Sequence, residues 1–386
     1  MQNPEQFPET IELSTTLGYF ILRCSERVYE GCANGFAINL AISPKKVGFH
    51  YEASLFSTEE KYAFEMRDIE GDFENLDDIL PLISAWTDNA SREAVEAFDK
   101  DVQYLDTPYG RLAFWSYNTH LDTTPLVFVH GGPGGDSNPV KARRLHLKNP
   151  VYLFDQMGCG MSDPIRDLEN FDLKEYFEEM SMFIDSIPAE KVVLVGASWG
   201  SGLSLYYSGL SGFRKVAGLI LPSPFLSTAK WTEDAILNLK DMGGDYLERF
   251  TALAEKKDYG EEFTRILGEY NARYLFNRSI FRDYGLVSAQ EVPNEVFQKL
   301  CGPNDLITDG KLLDFDVTCY LKDINVPTLL MCADSDEVRI DRIMEFYRQV
   351  KGARLSIIPH AGHVLALEQF DSYRDAIKAF IEENGF

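Results

Sequence analysis

Gly196-Ala197-Ser198-Trp199-Gly200 stands directly after an apolar run, Lys191–Val195, and directly before a stretch that patterns as a helix. A serine on so sharp a strand-to-helix turn is held in a strained backbone. Small residues two before and two after it keep neighbouring chains from clashing, and the helix N-terminus behind it favours developing negative charge. The chemistry served by this arrangement is nucleophilic attack by Ser198 on an acyl carbon. A second turn, His130-Gly131-Gly132-Pro133-Gly134-Gly135, follows the apolar run Leu126–Val129, about 66 residues ahead of Ser198. Glycines there let backbone N–H groups approach a ligand oxygen with no side chain in the way, as stabilising an oxyanion requires. The turn is not a GxGxxG after the first strand of a dinucleotide fold, so it implies no nucleotide cofactor.

A serine nucleophile needs a base, and the histidines are His50, His120, His130, His146, His360 and His363. With the nucleophile on this kind of turn, the acid and then the histidine follow it in the chain, which leaves His360 and His363. His363 is preferred, because Ala361-Gly362-His363 forms a small-residue loop after the last apolar run, Leu355–Ile358, whereas His360 reads as a surface-loop residue. The acid is sought in Ala333-Asp334-Ser335-Asp336-Glu337, after the run Thr328–Cys332; Asp336, four residues past its end, is preferred to Asp334. Its role is to fix the imidazole tautomer and stabilise the imidazolium.

These residues need a rigid frame, and the texture from Val102 onward supplies one. Val102–Asp106 and Arg111–Tyr117 flank the hairpin turn Thr107-Pro108-Tyr109-Gly110. Leu126–His130, Val151–Asp155, Val192–Gly196, Val216–Leu221, Thr328–Cys332 and Leu355–Ile358 are mostly continuous apolar runs alternating with amphipathic stretches. Such runs predict a mostly parallel sheet covered on both faces by helices, an α/β class. Between Pro222 and Val326 about a hundred residues pattern as helix and interrupt the alternation before the penultimate strand. The predicted layout is an N-terminal α+β domain over 1–100, a core over 101–222, a helical cap over 223–325 and the rest of the core over 326–386.

The chain has 386 residues with 37 Lys+Arg against 61 Asp+Glu, a formal net charge of −24. So acidic a surface repels nucleic acid and anionic membranes, and neither is an expected partner. Residues 1–100 hold 8 basic and 19 acidic residues, a balance of −11, so nearly half of the net charge lies in a quarter of the chain. Apolar stretches at Thr16–Val28, Gly35–Ile42, Val47–Leu55 and Ile79–Trp86 mark this segment as ordered rather than a linker. Its acidic run from Glu65 to Asp78 lacks the spacing of a calcium loop and reads as a solvated face or a helix N-terminus. The six cysteines, Cys24, Cys32, Cys159, Cys301, Cys319 and Cys332, show no CxxC spacing, which argues against zinc and against a disulfide framework. The stretch Val192–Leu210 lacks charge, but its glycines and serines suit a strand turning into a helix better than a membrane span. The first residues show no secretory pattern, so a cytoplasmic location is expected.

Taken together, these motifs resemble the proline iminopeptidases (prolyl aminopeptidases) of the α/β-hydrolase fold, with the nearest likeness to the branch of the tricorn-interacting aminopeptidase and amino-acid amidases. The resemblance rests on His130-Gly-Gly-Pro-Gly134, Asp155-Gln-Met-Gly-Cys-Gly-Met-Ser162 against the family's DQRGxGxS, and Gly196-Ala-Ser-Trp-Gly200. Ser223-Pro-Phe-Leu-Ser-Thr-Ala-Lys-Trp231, Cys301-Gly-Pro-Asn-Asp305, Asp309-Gly-Lys-Leu312 and Ala361-Gly-His363 extend it over Val102 to Phe386.

The resemblance implies Ser198 as nucleophile, Asp336 as acid, His363 as base, and the backbone N–H groups of Trp199 and Gly132 as oxyanion donors. It also implies Asp305 and Glu337 as carboxylates that hold a substrate's free α-ammonium, with Gly131 beside them among the substrate-binding residues. The implied substrates are short peptides or amino-acid amides with a free N-terminus, and no metal or organic cofactor is implied. Met157 departs from the family's arginine, Asp305 is one methylene shorter than its usual glutamate, and residues 1–100 lie outside the likeness. A carboxylesterase or lipase-like hydrolase would use the same three residues but has no need of Asp305 and Glu337. In a third reading the hydrolase fold is a non-catalytic scaffold for partner binding. The N-terminal segment is a candidate oligomer contact or a cover that limits substrate length.

Overall fold

The structure is a computed structural model that describes residues 102–137, 142, 145, 147–275, 295–304, 306 and 308–386, and in the first hundred residues the backbone of six strands. The chain divides into two compact units, the first boundary falling between Asp101 and Val102. The strands of the first unit are β1 (Thr10–Thr15), β2 (Gly18–Ser25), β3 (Val28–Ala33), β4 (Phe36–Pro44), β5 (Phe49–Ser57) and β6 (Met66–Phe73). Each pairs antiparallel with the next in sequence, giving an up-and-down sheet. The acidic run is therefore not a helix start over 66–73: those residues form β6, registered against β5 from Phe49↔Phe73 to Phe56↔Met66. The predicted stretch Ile79–Trp86 lies outside the described residues.

The second unit is built on eight strands: β7 (Gln103–Thr107), β8 (Gly110–Tyr117), β9 (Leu126–Val129), β10 (Val151–Phe154), β11 (Val192–Gly196), β12 (Val216–Pro222), β13 (Thr328–Ala333) and β14 (Arg354–Ile358). Their order across the sheet is β14-β13-β12-β11-β9-β10-β8-β7. All neighbours are parallel from β14 to β10, and the hairpin β7–β8 closes one edge antiparallel. The turn between β7 and β8 is tied by Thr107 Oγ1 donating to Gly110 O at 2.7 Å.

Every residue of β10, β11 and β13 is buried, whereas β7 at one edge and β14 at the other are partly exposed. That contrast is why the central strands read as unbroken apolar runs: both of their faces are covered. Each such valine or leucine contributes about 1.5–3 kcal/mol of burial free energy. Helices α1 (Leu173–Ser186) and α2 (Trp199–Leu210) pack Met180, Phe183, Leu203 and Leu205 into this core. Helix α1 starts at a capping box in which Asp172 accepts from Lys174 N–H at 2.9 Å and Glu175 accepts from Asp172 N–H at 3.0 Å.

Between β12 and β13 run α3 (Thr228–Asp241), α4 (Tyr246–Glu255), α5 (Glu261–Tyr274), α6 (Glu295–Leu300) and a 3-10 turn, Thr318–Asp323. Their apolar faces form a small core of their own from Leu239, Phe250, Phe263, Ile266 and Tyr270. After β13 come α7 (Ile340–Gln349), α8 (Leu365–Glu368) and α9 (Phe370–Asn384). Among the described residues no helix is long and apolar enough to cross a membrane, and Val192–Leu210 is strand β11 leading into α2. Cys159, Cys301 and Cys332 are buried, and Cys319 is exposed.

Candidate active site

Ser198 sits between β11 and α2 with φ 52° and ψ −120°. A non-glycine residue there costs on the order of 1–3 kcal/mol, which only a well-braced turn can hold. The bracing is visible in the backbone. Ser198 N–H donates to Pro222 O at 3.0 Å, and Ser198 O accepts from Ser201 N–H at 2.9 Å and Phe225 N–H at 3.2 Å. Gly200 is required by close approach, since a Cβ on it would collide with Val129 O and His130 O at the end of β9.

Beside the serine runs the loop after β9. Gly132 has φ +114°, where a side chain would meet Gly134 N and Gly135 N, and a Cβ on Gly131 would begin 3.3 Å from that of Ser198. Gly132 is exposed. The backbone N–H groups of Gly132 and Trp199 have no hydrogen-bond partner among the described residues.

The acid and the histidine arrive from the ends of β13 and β14. Asp336 is buried, and Oδ1 accepts from His363 Nδ1 at 2.7 Å and from Val338 N–H at 3.2 Å. Its Oδ2 accepts from Ser223 Oγ at 2.6 Å and from Ala333 N–H at 3.1 Å. A carboxylate only accepts, so the His363 proton is on Nδ1 and Nε2 is the basic nitrogen. Burial, then the nearby charges of Asp336 and Asp334, push the Cys332 thiol well above its usual range. Asp334 is exposed and bonds the backbone N–H groups of His360, at 2.9 Å, and Ala361, at 3.3 Å. His360 is exposed as well. Of the two sequence candidates for each role, it is therefore Asp336 and His363 that meet.

Two neighbours in sequence link this pair to the serine: Pro222 O receives Ser198 N–H, and Ser223 Oγ reaches Asp336. A row of rings runs the same way, Trp199 to Phe225 at 6.5 Å, Phe225 to Trp231 at 5.3 Å, and Trp231 edge-on to His363 at 5.4 Å. Helix α5 ends on the histidine loop, where Tyr274 O accepts from His363 N–H at 2.7 Å. Ser223 and Trp231 stand out in the sequence only as parts of a motif, because nothing local signals contacts with residues more than a hundred positions away.

Glu337 is 2% exposed, and its Oε2 lies 3.8 Å from His363 Nδ1. Its own carbonyl is held by Asn238 Nδ2 of α3 at 3.1 Å. Two buried carboxyl groups thus lie within 3.8 Å of the same imidazole nitrogen. Asp305, the other carboxylate predicted for an ammonium, lies outside the described residues. Among the described residues no group of three or more His, Cys, Asp or Glu side chains could hold a metal ion.

The family description "alpha/beta hydrolase fold" matches residues 124–370. A proline iminopeptidase of Saccharolobus solfataricus is 30% identical over 277 residues, covering 67% of this chain and 84% of that protein. One from Heyndrickxia coagulans is 27% identical over 285 residues, covering 72% of this chain and 97% of that protein. The crystal structure of a Mycobacterium smegmatis proline iminopeptidase shares the fold, with TM-score 0.62, 20% identity, and coverage of 74% of this chain and 98% of that one. On its motifs, its strand order and these likenesses, the chain belongs to the α/β-hydrolase fold family and, within it, to the proline iminopeptidases.

Proposed function

We propose that this chain is a serine-type aminopeptidase that releases the N-terminal residue from short peptides or amino-acid amides. Ser198 Oγ attacks the first peptide carbonyl while His363 Nε2 takes its proton, and Asp336 stabilises the imidazolium that forms. The carbonyl oxygen, now negative, is held by the N–H groups of Gly132 and Trp199, and losing one such donor typically costs about 10²–10³ in rate. The C–N bond breaks, the leaving amine takes the proton from His363, and an aminoacyl ester remains on Ser198. Water, activated by the same histidine, then hydrolyses that ester.

The observation that carries the aminopeptidase reading over an esterase is Glu337, buried beside the His363–Asp336 pair. A carboxylate in that position supplies the counter-charge that a desolvated α-ammonium needs, and burying such an amine unpaired costs several kcal/mol. Asp305 is proposed as the second carboxylate and Gly131 as part of the wall beside the serine. The name of the relatives, proline iminopeptidase, supports proline as a first residue, and a cytoplasmic location is part of the same reading.

The test is a matched panel: prolyl, alanyl, leucyl and phenylalanyl anilides, their N-acetylated forms, and short acyl nitrophenyl esters, each with wild type and Ser198→Ala. Cleavage of the free-amine anilides, lost on acetylation and in the variant, supports the reading. Ester turnover with no amine requirement would make the protein an esterase. No Ser198-dependent turnover would leave the scaffold reading, with partner binding as the function.

A further inference from the structure

Gln156 follows β10 and is completely buried, which is unusual for a glutamine unless its polar atoms are all engaged. They are. Its backbone N–H donates to His130 Nε2 at 3.0 Å, its side-chain Nε2 donates to His130 O at 3.0 Å, and its Oε1 accepts from the indole Nε1–H of Trp199 at 2.9 Å. Because His130 Nε2 accepts, its ring proton is on Nδ1, which donates to Gly131 O at 2.8 Å. Burial pulls this imidazole down to about 4, so it stays neutral at neutral pH and keeps that accepting nitrogen.

The consequence lies one bond further on. Gly131 O belongs to the peptide whose N–H is that of Gly132, and in a trans peptide the two groups point in opposite directions. Holding the carbonyl on the His130 side therefore turns the Gly132 N–H away from the imidazole. The other N–H in question is that of Trp199, whose indole is the third group fixed by Gln156. One buried side-chain amide thus joins the Trp199 indole to the backbone of His130, two residues before Gly132, and the backbone N–H groups of Trp199 and Gly132 have no partner among the described residues.

We infer that Gln156, acting through His130 and the Trp199 indole, is the positioning residue that sets the spacing of the two oxyanion donors. This rests on the proposed acyl-transfer chemistry at Ser198. Gln156 touches neither the nucleophile nor the acyl group in this role; it acts through others, and its removal lets two donors drift that must meet one oxygen.

The test compares full-length wild type with Gln156→Leu and Trp199→Phe, the latter deleting only the indole N–H from the network. The probes are the anilide that wild type cleaves fastest, 4-nitrophenyl acetate, the boronic acid matching that anilide's amino acid, and the free amino acid. The boronate adduct on Ser198 is tetrahedral and anionic, with an oxygen where the oxyanion forms; the free amino acid forms no such adduct. The expected result for Gln156→Leu is a fall in kcat of about 100-fold on anilide and ester alike, with KM within about threefold. Affinity for the boronic acid falls by a similar factor while that for the amino acid holds. Trp199→Phe shows the same pattern at about tenfold, the worth of one hydrogen bond.

A merely structural glutamine would lower melting temperature and weaken both ligands equally, and that outcome overturns the inference. If Gln156→Leu does not fold, Trp199→Phe decides, and unchanged kcat in that folded variant overturns it too. Ester turnover without anilide turnover would overturn the aminopeptidase reading while the ester still reports on the donors. Absence of any Ser198-dependent turnover would overturn both.

Discussion

Two groups of buried carboxyls lie at the same end of the sheet and differ in how they are satisfied. Asp336 accepts four hydrogen bonds, from His363, Val338, Ala333 and Ser223. Behind the loop after β10, Asp155 accepts two backbone N–H bonds, from Ser137 at 2.7 Å and Met161 at 2.8 Å, and burial still pushes it up to about 7. Glu179 accepts one, from Met157 N–H at 2.9 Å, and its Oε1 has no partner among the described residues. Burial, and secondarily the charge of Asp155, holds Glu179 well above the usual carboxylate range. Similar burial therefore meets different surroundings: Asp336 has four donors and an imidazole beside it, whereas Asp155 and Glu179 have fewer donors and burial pushes both upward. Met157 is part of the reason, since where the family's motif has arginine it offers Glu179 only a backbone N–H.

This contrast can be broken from either side. The largest effect is expected from Ser198→Ala, which should lower kcat by about 10⁶, as loss of a nucleophile does in triad enzymes. Residual activity within tenfold of wild type in the anilide assay would remove the nucleophile from the account. Asp336→Asn keeps the shape but presents the wrong tautomer to His363, and about 10⁴ in kcat should be lost with KM little changed. Steady-state kinetics on the best anilide separates these two parameters.

On the other side, Glu179→Gln should leave kcat within about twofold and act on stability, by about 1 kcal/mol or a few degrees of melting temperature. Its folded-state pKa is raised, so the acid favours the folded state while protonated, and that contribution is lost as pH rises from the unfolded value near 4 through the raised folded value. Glutamine mimics the protonated form. The variant should therefore match wild type at pH 4 and melt higher at pH 8, and a lower melting temperature at pH 8 would show that Glu179 is held as a charge.

How much of this the chain revealed follows from the range of the interactions. The strands of the second unit, β7 to β14, were legible to within a residue at each end, because burial leaves unbroken apolar runs such as Val192–Val195, whereas β1 and β6 of the first unit carry no such run. The strained turn at Ser198 and the pairing of Asp336 with His363 were legible because a strand-to-helix turn and two strand-end loops carry local signals. Gln156 was not, since its partners His130 and Trp199 lie 26 and 43 residues away and no period marks a buried amide that joins loops. The run from Glu65 to Asp78 suggested a helix start as one of two readings, and over Met66–Phe73 it is a strand. Pairing with β5, a tertiary event, decided the conformation of Met66–Phe73 against its charge.

The most direct test of the central claim, that Glu337 is a charged partner for the substrate's amine, is a ratio. The specificity constant for the best anilide is divided by that for its N-acetyl form, in wild type and in Glu337→Gln. Replacing the carboxylate by an amide should lower the ratio by about 10- to 100-fold, almost wholly through KM of the free-amine substrate, with turnover of the acetylated one unchanged. An unchanged ratio, or equal losses on both substrates, would contradict the account.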